Sequence, residues 1–413
     1  MKKPLFVILT LSALYASGAT SLAWSDTPYL QPPATNIYDT ADIETSQSMG
    51  VDSSVVATAV TSDTGNGTVV IYSALGGEYS VPFDLGNVHP TNQDLGMSLF
   101  VKSQGLSAVA VDPQTHSVYA AGETFNGSDY DCLIKKYDQN GTQIWSITHD
   151  FQLNKHDFCH DIAIDGNGDV IVAGTSVVPG SGYVAKMVKL DANGNVLAEN
   201  SQRPENCGSF TPCQSQIMKI SIGSDGRIVA LIKREMLYWW IGTWDTNLQK
   251  MPGVLNGFNP PEIHAQDVAV DANGNIYAVG WSYVDNNGTA EMRHKLIRFD
   301  EAYNITCEDS RVFGSVSVRH DWHDGWFGVT VANDGHAYVT GSDQKNIITM
   351  EYDAACTPQW SDSAGAVIPL IYNNGSLEIG YDIAIDANGD LHIAGQGGPS
   401  GNTHALTLKY SRL

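Results

Sequence analysis

Residues 161–174 read DIAIDGNGDVIVAG, two alternating runs joined by a polar turn. The pattern predicts a β-hairpin, because Asn and Gly accept the positive φ angles that a short turn between twisted strands requires. The stretch returns as DVAVDANGNIYAVG at 267–280 and as DIAIDANGDLHIAG at 382–395. Weaker copies are AVAVDPQTHSVYAAG at 108–122, KISIGSDGRIVALI at 219–232 and GVTVANDGHAYVTG at 328–341. After a variable loop comes a third run that ends in an aromatic residue or leucine followed by aspartate, as in LIKKYDQNG from 133, MVKLDANG from 187, LIRFDEAYN from 296 and TMEYDAAC from 349. A fourth short run follows, as in TQIWSI from 142.

Equivalent first-turn positions, Asp112, Asp165, Gly223, Asp271, Ala332 and Asp386, are 48 to 61 residues apart. Four strands at that period indicate propeller blades, units that cannot bury both sheet faces alone and so stack around an axis. The last copy stops at LTLKYSRL, after its third strand, while SSVVATAV, GTVVIYSA and EYSVPFD, between 53 and 84, read as the second to fourth strands of a further unit. Seven blades follow if residues 25–50 close the last blade and supply the inner strand of the first, removing an exposed edge. Six and eight are the neighbouring counts that the pattern leaves open. The expected fold is an all-β, seven-bladed β-propeller of four-stranded antiparallel blades after a signal peptide. The expected division is a leader at 1–23, an N-terminal segment with a ring-closing strand at 24–50, and the propeller at 51–413.

The pattern D-[IV]-A-[IV]-D-x-N-G-[ND]-[ILV]-x-x-x-G, with its apolar-K-Y-D-x-x-G third strand, resembles the bacterial secreted seven-bladed β-propeller repeat family and, more distantly, NHL-type repeats. It departs from the NHL-type signature where the usual aspartate after the second strand is glycine, at 174, 280 and 395. The resemblance implies the fold and a ligand-binding face around a central channel, formed by the loops between blades and between second and third strands. It implies no single activity, since such propellers serve as binding modules, structural surface proteins, lyases and hydrolases.

The first residues, MKKPLFVILTLSALYASGATSLAWS, have two lysines, an apolar run from Leu5 to Leu14 and small residues before Ala19 and Ala23, the pattern of a secretory leader. No later stretch approaches the roughly 20 apolar residues of a membrane helix, so a secreted or periplasmic protein with no membrane span is expected. The formal charge is −23, and loss of Lys2 and Lys3 with the leader makes it more negative. Such a surface repels phosphate backbones and argues against a nucleic-acid partner. Six cysteines in an oxidising compartment predict disulfides. Cys207 and Cys213, enclosing GSFTP, are the first expected pair, while Cys132 with Cys159 and Cys307 with Cys356 would join neighbouring units, among 15 connectivities that six cysteines permit.

Just before the repeat at 161 stands NKHDFCH, 154–160, with the residue types of a metal or acid/base site. RHDWHDGWFG at 319–328 places His323-Asp324 opposite His156-Asp157, and His264 occupies the matching connection of another blade. A ring would bring His156, His160, His264, His320 and His323 toward one axis. They could hold a divalent metal, with Asp orienting His. Alternatively His156, His160 and His323, with Tyr381 and Arg293 or Arg319, could supply acid/base and charge-neutralising groups for carbohydrate chemistry. In the third reading they hydrogen-bond loop backbones in a wet channel. Trp281, Tyr283, Trp322 and Trp326, with Arg293 beside them, are candidate ligand contacts, because flat rings stack on sugar faces. Trp145 and Trp360 recur at one strand position and should pack between blades. The Asp-x-Asn-Gly turns resemble calcium loops, but the bidentate Glu of an EF-hand is missing and Asp and Asn satisfy turn backbones unaided.

GxSxG, HExxH, phosphate-loop and dinucleotide signatures are absent. The reading is a monomeric secreted propeller that binds an extracellular glycan or other polymer at the channel mouth. A polysaccharide lyase or hydrolase, with or without a metal, is the alternative, and a structural or protein-interaction disc is a further one.

Overall fold

The computed structural model describes residues 34–411 other than 39–43, 63–66, 74–77, 84–104, 152–154, 179–181, 203–214, 235–237, 253–254, 259–262, 287–288, 314–323, 361–368, 374–376 and 399–402. The expected leader and the Cys207–Cys213 pair lie outside the described residues, as do His320, Trp322 and His323. Among the described residues, 28 strands form seven four-stranded antiparallel sheets. The chain is a seven-bladed β-propeller.

In six blades the strands run from inner to outer in chain order. The inner strands are Glu44–Val51, Leu106–Val111, Asp157–Ile164, Ser215–Ile222, His264–Val270, Asp324–Val331 and Ile379–Ile385. The seventh blade takes its outer strand from Ala34–Tyr38, which pairs with the third strand His404–Tyr410 from Ala34↔Lys409 to Tyr38↔Ala405. Among the described residues, the ring thus takes both this closing strand and the first blade's inner strand, Glu44–Val51, from the N-terminal segment.

Face-to-face stacking explains why the alternation of the repeats holds at the rim and is lost inside. The third strand Tyr130–Tyr137 is buried at every position, whereas the outer strand Gln143–His149 alternates between exposed and half-buried. Each blade interface is filled from both sides, as where Tyr119 and Ile134 of the second blade meet Ile162 and Val172 of the third. Two disulfides tie neighbouring blades, Cys132–Cys159 between the second and third and Cys307–Cys356 between the fifth and sixth. Such bonds suit an oxidising extracellular or periplasmic setting, and no helix among the described residues is long and apolar enough to cross a membrane.

The turns differ in one respect from the expectation. At Asp165-Gly166-Asn167-Gly168-Asp169 only the last glycine has positive φ, 79°, and Gly168 N donates to Asp165 O, so this is a type I turn followed by a left-handed residue. Asp165 Oδ1 accepts from the N–H groups of Asn167 and Asp169, and its Oδ2 meets Lys189 Nζ at 2.8 Å. Asp271 and Asp386 hold their turns in the same way, and the turn between third and fourth strands repeats it at Asp191 and Asp245. The aspartate of the calcium-like loop is thus engaged by its own turn.

Every inner strand carries a β-bulge at the same level. Its register breaks between Ser46 and Ser48, Leu106 and Ala108, Cys159 and Asp161, Ile217 and Lys219, Ala265 and Asp267, Trp326 and Gly328, and Gly380 and Asp382. One extra residue bends the strand and presses its backbone toward the second strand. This accounts for the glycine that sets the repeat apart from the NHL-type signature. A Cβ on Gly174 would stand 2.0 Å from Phe158 O, and one on Gly280 would stand 2.1 Å from His264 O.

Candidate functional site

Because the bulges are related by the pseudo-symmetry of the ring, they define levels in the central channel. The extra residues, Gln47, Ser107, His160, Met218, Gln266, Phe327 and Tyr381, form a mouth ring on the side of the loops between blades. Ser107, His160, Met218, Gln266, Phe327 and Tyr381 are all half-buried, and the rings of Phe327 and Tyr381 stand 6.1 Å apart. One residue further along lie Ser48, Ala108, Asp161, Lys219, Asp267, Gly328 and Asp382, and three residues beyond those Val51, Val111, Ile164, Ile222, Val270, Val331 and Ile385, of which Ile164, Ile222, Val270 and Val331 line the channel as an apolar girdle.

Between mouth and girdle is a chamber of about 310 Å³, lined by Asp161, Lys219, Asp267 and Asp382 among others. The aspartates link blades: Asp161 Oδ2 accepts from Ile220 N at 2.7 Å, Asp267 Oδ2 from Val329 N at 2.8 Å and Asp382 Oδ2 from Met49 N at 2.9 Å. Ser48 Oγ accepts from Val109 N in the same manner. Burial raises the pKa of all three carboxyls, and that of Asp267 is pushed up to about 7, with Asp382 and Asp161 adding to the rise against Lys219. Lys219 Nζ lies 3.9 Å from Asp161 Oδ1. Burial works against its charge, but Asp161, Asp382 and Asp267 outweigh it and hold the ammonium well above the usual lysine range. Lys219 is the internal counter-ion of the chamber.

Of the residues expected at a site, His160 and Tyr381 belong to the mouth ring. His160 Nε2 lies 3.1 Å from Thr175 Oγ1, and burial pushes the Tyr381 hydroxyl up to about 12. His156 stands outside that ring: its Nδ1 accepts from Tyr130 N at 3.2 Å, its imidazole packs on Tyr130 and Phe158, and burial lowers its pKa. Asp157 and Asp324 occupy the same register position in their blades, as the two sequence segments implied. His264 stacks on Trp281 with ring centroids 3.8 Å apart, and burial, then Lys233, lowers its pKa. Arg293 donates to Glu291 through both Nε, at 2.8 Å, and Nη2, at 2.7 Å. Tyr283 lies on the second strand of the fifth blade, opposite Met292.

Two expectations are corrected. Trp326 is fully buried against His294 and Phe313, so its ring offers no face to a ligand. Its place just before a bulge turns it into the blade interface. Nor do the described His156, His160 and His264 gather as a metal set: among the described residues the group of three or more ligating side chains is Asp131, Asp150 and Asp157, with one oxygen each within 4.8 Å of the others. Trp360 packs as expected, buried with its Nε1 donating to Glu351 Oε2.

The channel aspartates and Lys219 went unassigned in the sequence although they head the repeats. Asp161, Asp267, Asp382, Lys219, Ala108 and Gly328 are the first letters of the six copies. Period-two patterning marks such a position only as part of a strand, and nothing in it shows that the letter faces an axis.

No family model matches the chain, and no curated protein matches it in sequence, so the NHL-type likeness has no support from either. Solved structures of similar shape are propellers. The WD40 domain of coronin from Toxoplasma gondii is 9% identical with a TM-score of 0.54, over 93% of this chain and 86% of that one. An ulvan lyase from a new family of polysaccharide lyase is 10% identical with a TM-score of 0.53, over 91% and 96%. A virginiamycin B lyase from Staphylococcus aureus is 12% identical with a TM-score of 0.51, over 91% and 99%. At these identities the likeness is one of fold alone.

Proposed function

We propose that this chain is a secreted propeller that binds an extracellular glycan or related polymer at the loop-side mouth of its channel. The observation that carries the reading is the mouth ring. It sets the half-buried rings of Phe327 and Tyr381, 6.1 Å apart, at one level with the hydrogen-bonding side chains of His160 and Gln266. Apolar ring faces beside a few convergent polar groups suit a sugar, which presents C–H faces and hydroxyl edges. His160 and Tyr381 on the same ring also favour the lyase reading, in which they would act as base and acid.

One experiment separates these. The purified protein is incubated with a panel of neutral, acidic and amine-bearing polysaccharides, and both retention and new absorbance from unsaturated products are recorded. Retention that Phe327→Ala and Tyr381→Ala weaken, without change in melting temperature, supports binding at the mouth. Unsaturated products lost in His160→Ala turn the reading to a lyase. Folded protein retained by no polymer overturns it.

A further inference from the structure

We infer that the ligand enters the channel end first, so that the protein recognises the terminal unit of a neutral or amine-bearing chain and not an internal stretch. The inference rests on the glycan-binding reading above. It follows from what lies beneath the mouth. The chamber, about 310 Å³, is at the small end of ligand sites and suits one or two sugar units. Its turn-side limit is the girdle, whose Ile222, Val270 and Val331 line both this chamber and the cavity beyond it.

Beyond the girdle is a second, polar cavity of about 540 Å³ lined by Asp165, Asn167, Asp225 and Asp271, which meets the first at Ile222, Val270 and Val331. A sugar chain passing between the two would bring its hydroxyls past side chains that neither donate nor accept. Each hydroxyl there gives up its hydrogen bonds to water without a replacement, and one sugar unit carries several. The girdle has little room to widen. Adjacent inner strands are in backbone contact, so that a Cβ on Gly50 would stand 2.6 Å from Val111 N, and the aspartate links hold blade to blade one turn above.

The chamber also selects the end group. Asp161, Asp267 and Asp382 accept hydrogen bonds and Lys219 donates. Hydroxyls and amines are donors that match three carboxyls, whereas a uronate would add a fourth carboxyl beside them.

The test is calorimetric titration with linear malto-, cello-, chito- and alginate oligosaccharides, with their parent polymers at equal mass, and with cyclodextrin. The expected result is that at least one of the first three families binds, that sites per gram rise about tenfold when chains are cut tenfold shorter, as end recognition requires, and that cyclodextrin and alginate fragments bind at least tenfold more weakly. Equal sites per gram at both lengths, cyclodextrin binding as tightly as linear malto-oligosaccharide, or alginate preferred, overturns end recognition while leaving the mouth as a glycan site. Binding of none of these probes overturns both readings.

Discussion

Asp382, on the inner strand of the last blade, accepts a hydrogen bond from the backbone N–H of Met49, on the inner strand of the first, at 2.9 Å across 333 positions of sequence. The same link joins the third blade to the fourth through Asp161 and the fifth to the sixth through Asp267. With the outer strand Ala34–Tyr38, the closing blade is thus fastened at its rim and at its hub.

Asp382→Ala leaves the Met49 N–H unpaired inside the channel. A loss of about 1–3 kcal/mol is expected for an unsatisfied buried donor, read as a lower midpoint in denaturant unfolding. Asp382→Asn retains an acceptor and should lose less. Equal stability of Asp382→Ala and wild type would show that the hub link does not bear on closure.

Gly174→Ala places a Cβ 2.0 Å from Phe158 O, backbone that cannot rotate away. The bulge or the strand must move, and a loss of about 3 kcal/mol or more is expected, at the upper end of overpacking costs. Val60 and Ile232 occupy the equivalent place in the first and fourth blades, paired with Ser46 and Ile217. There Ile232→Ala should cost about 2–4 kcal/mol as an ordinary cavity. Thermal melts of the two variants compare opposite errors, one of too much volume and one of too little.

Asp267 gives a pH signature. Burial, with Asp382 and Asp161 against Lys219, lifts its folded pKa to about 7 from an ordinary value of 3.8. The folded chain therefore holds a proton that the unfolded chain releases, and this group's contribution is full below about pH 4 and is lost as pH rises through 7. His294, pushed down to about 4 by burial, has the opposite sign over the same window, so the difference between wild type and Asp267→Asn is the quantity to follow. Wild type should gain on the variant as pH falls from 8 to 5. Parallel stability curves would remove Asp267 as the cause.

The Cys132–Cys159 bond closes a loop of 27 residues between two blades. Cys132→Ser with Cys159→Ser should cost about 3 kcal/mol by loop entropy. The melting temperature should fall in the variant, and added reductant should shift it less than it shifts wild type.

Trp326 and Tyr381 should part in their effects. Trp326→Ala empties a fully buried site and is expected to cost about 3–5 kcal/mol. Tyr381→Ala, at the half-buried mouth, should weaken polymer retention while the melting temperature holds within a few degrees. Retention unchanged in Tyr381→Ala would move the ligand away from the channel.

The repeat DIAIDGNGDVIVAG determined much by itself. Its alternation and turn chemistry are local, so strand, hairpin, blade period and the N-terminal closing strand could be read along the chain, whereas Cys132–Cys159 and Cys307–Cys356 were selected from 15 connectivities only by the neighbouring blades that bring them together. The site was legible only in part: His160 and Tyr381 were named for their chemistry, while Trp326, an exposed-looking ring beside His323, proved to be core. Alternation along a strand assigns two faces, but a bulge shifts which face follows, and whether either face meets a neighbouring blade or the axis depends on the blades at its sides. Only the closed ring therefore decided that the first letter of each repeat turns toward a common channel, where Asp161, Asp267 and Asp382 surround Lys219, and that the second isoleucine or valine becomes the girdle that ends the chamber.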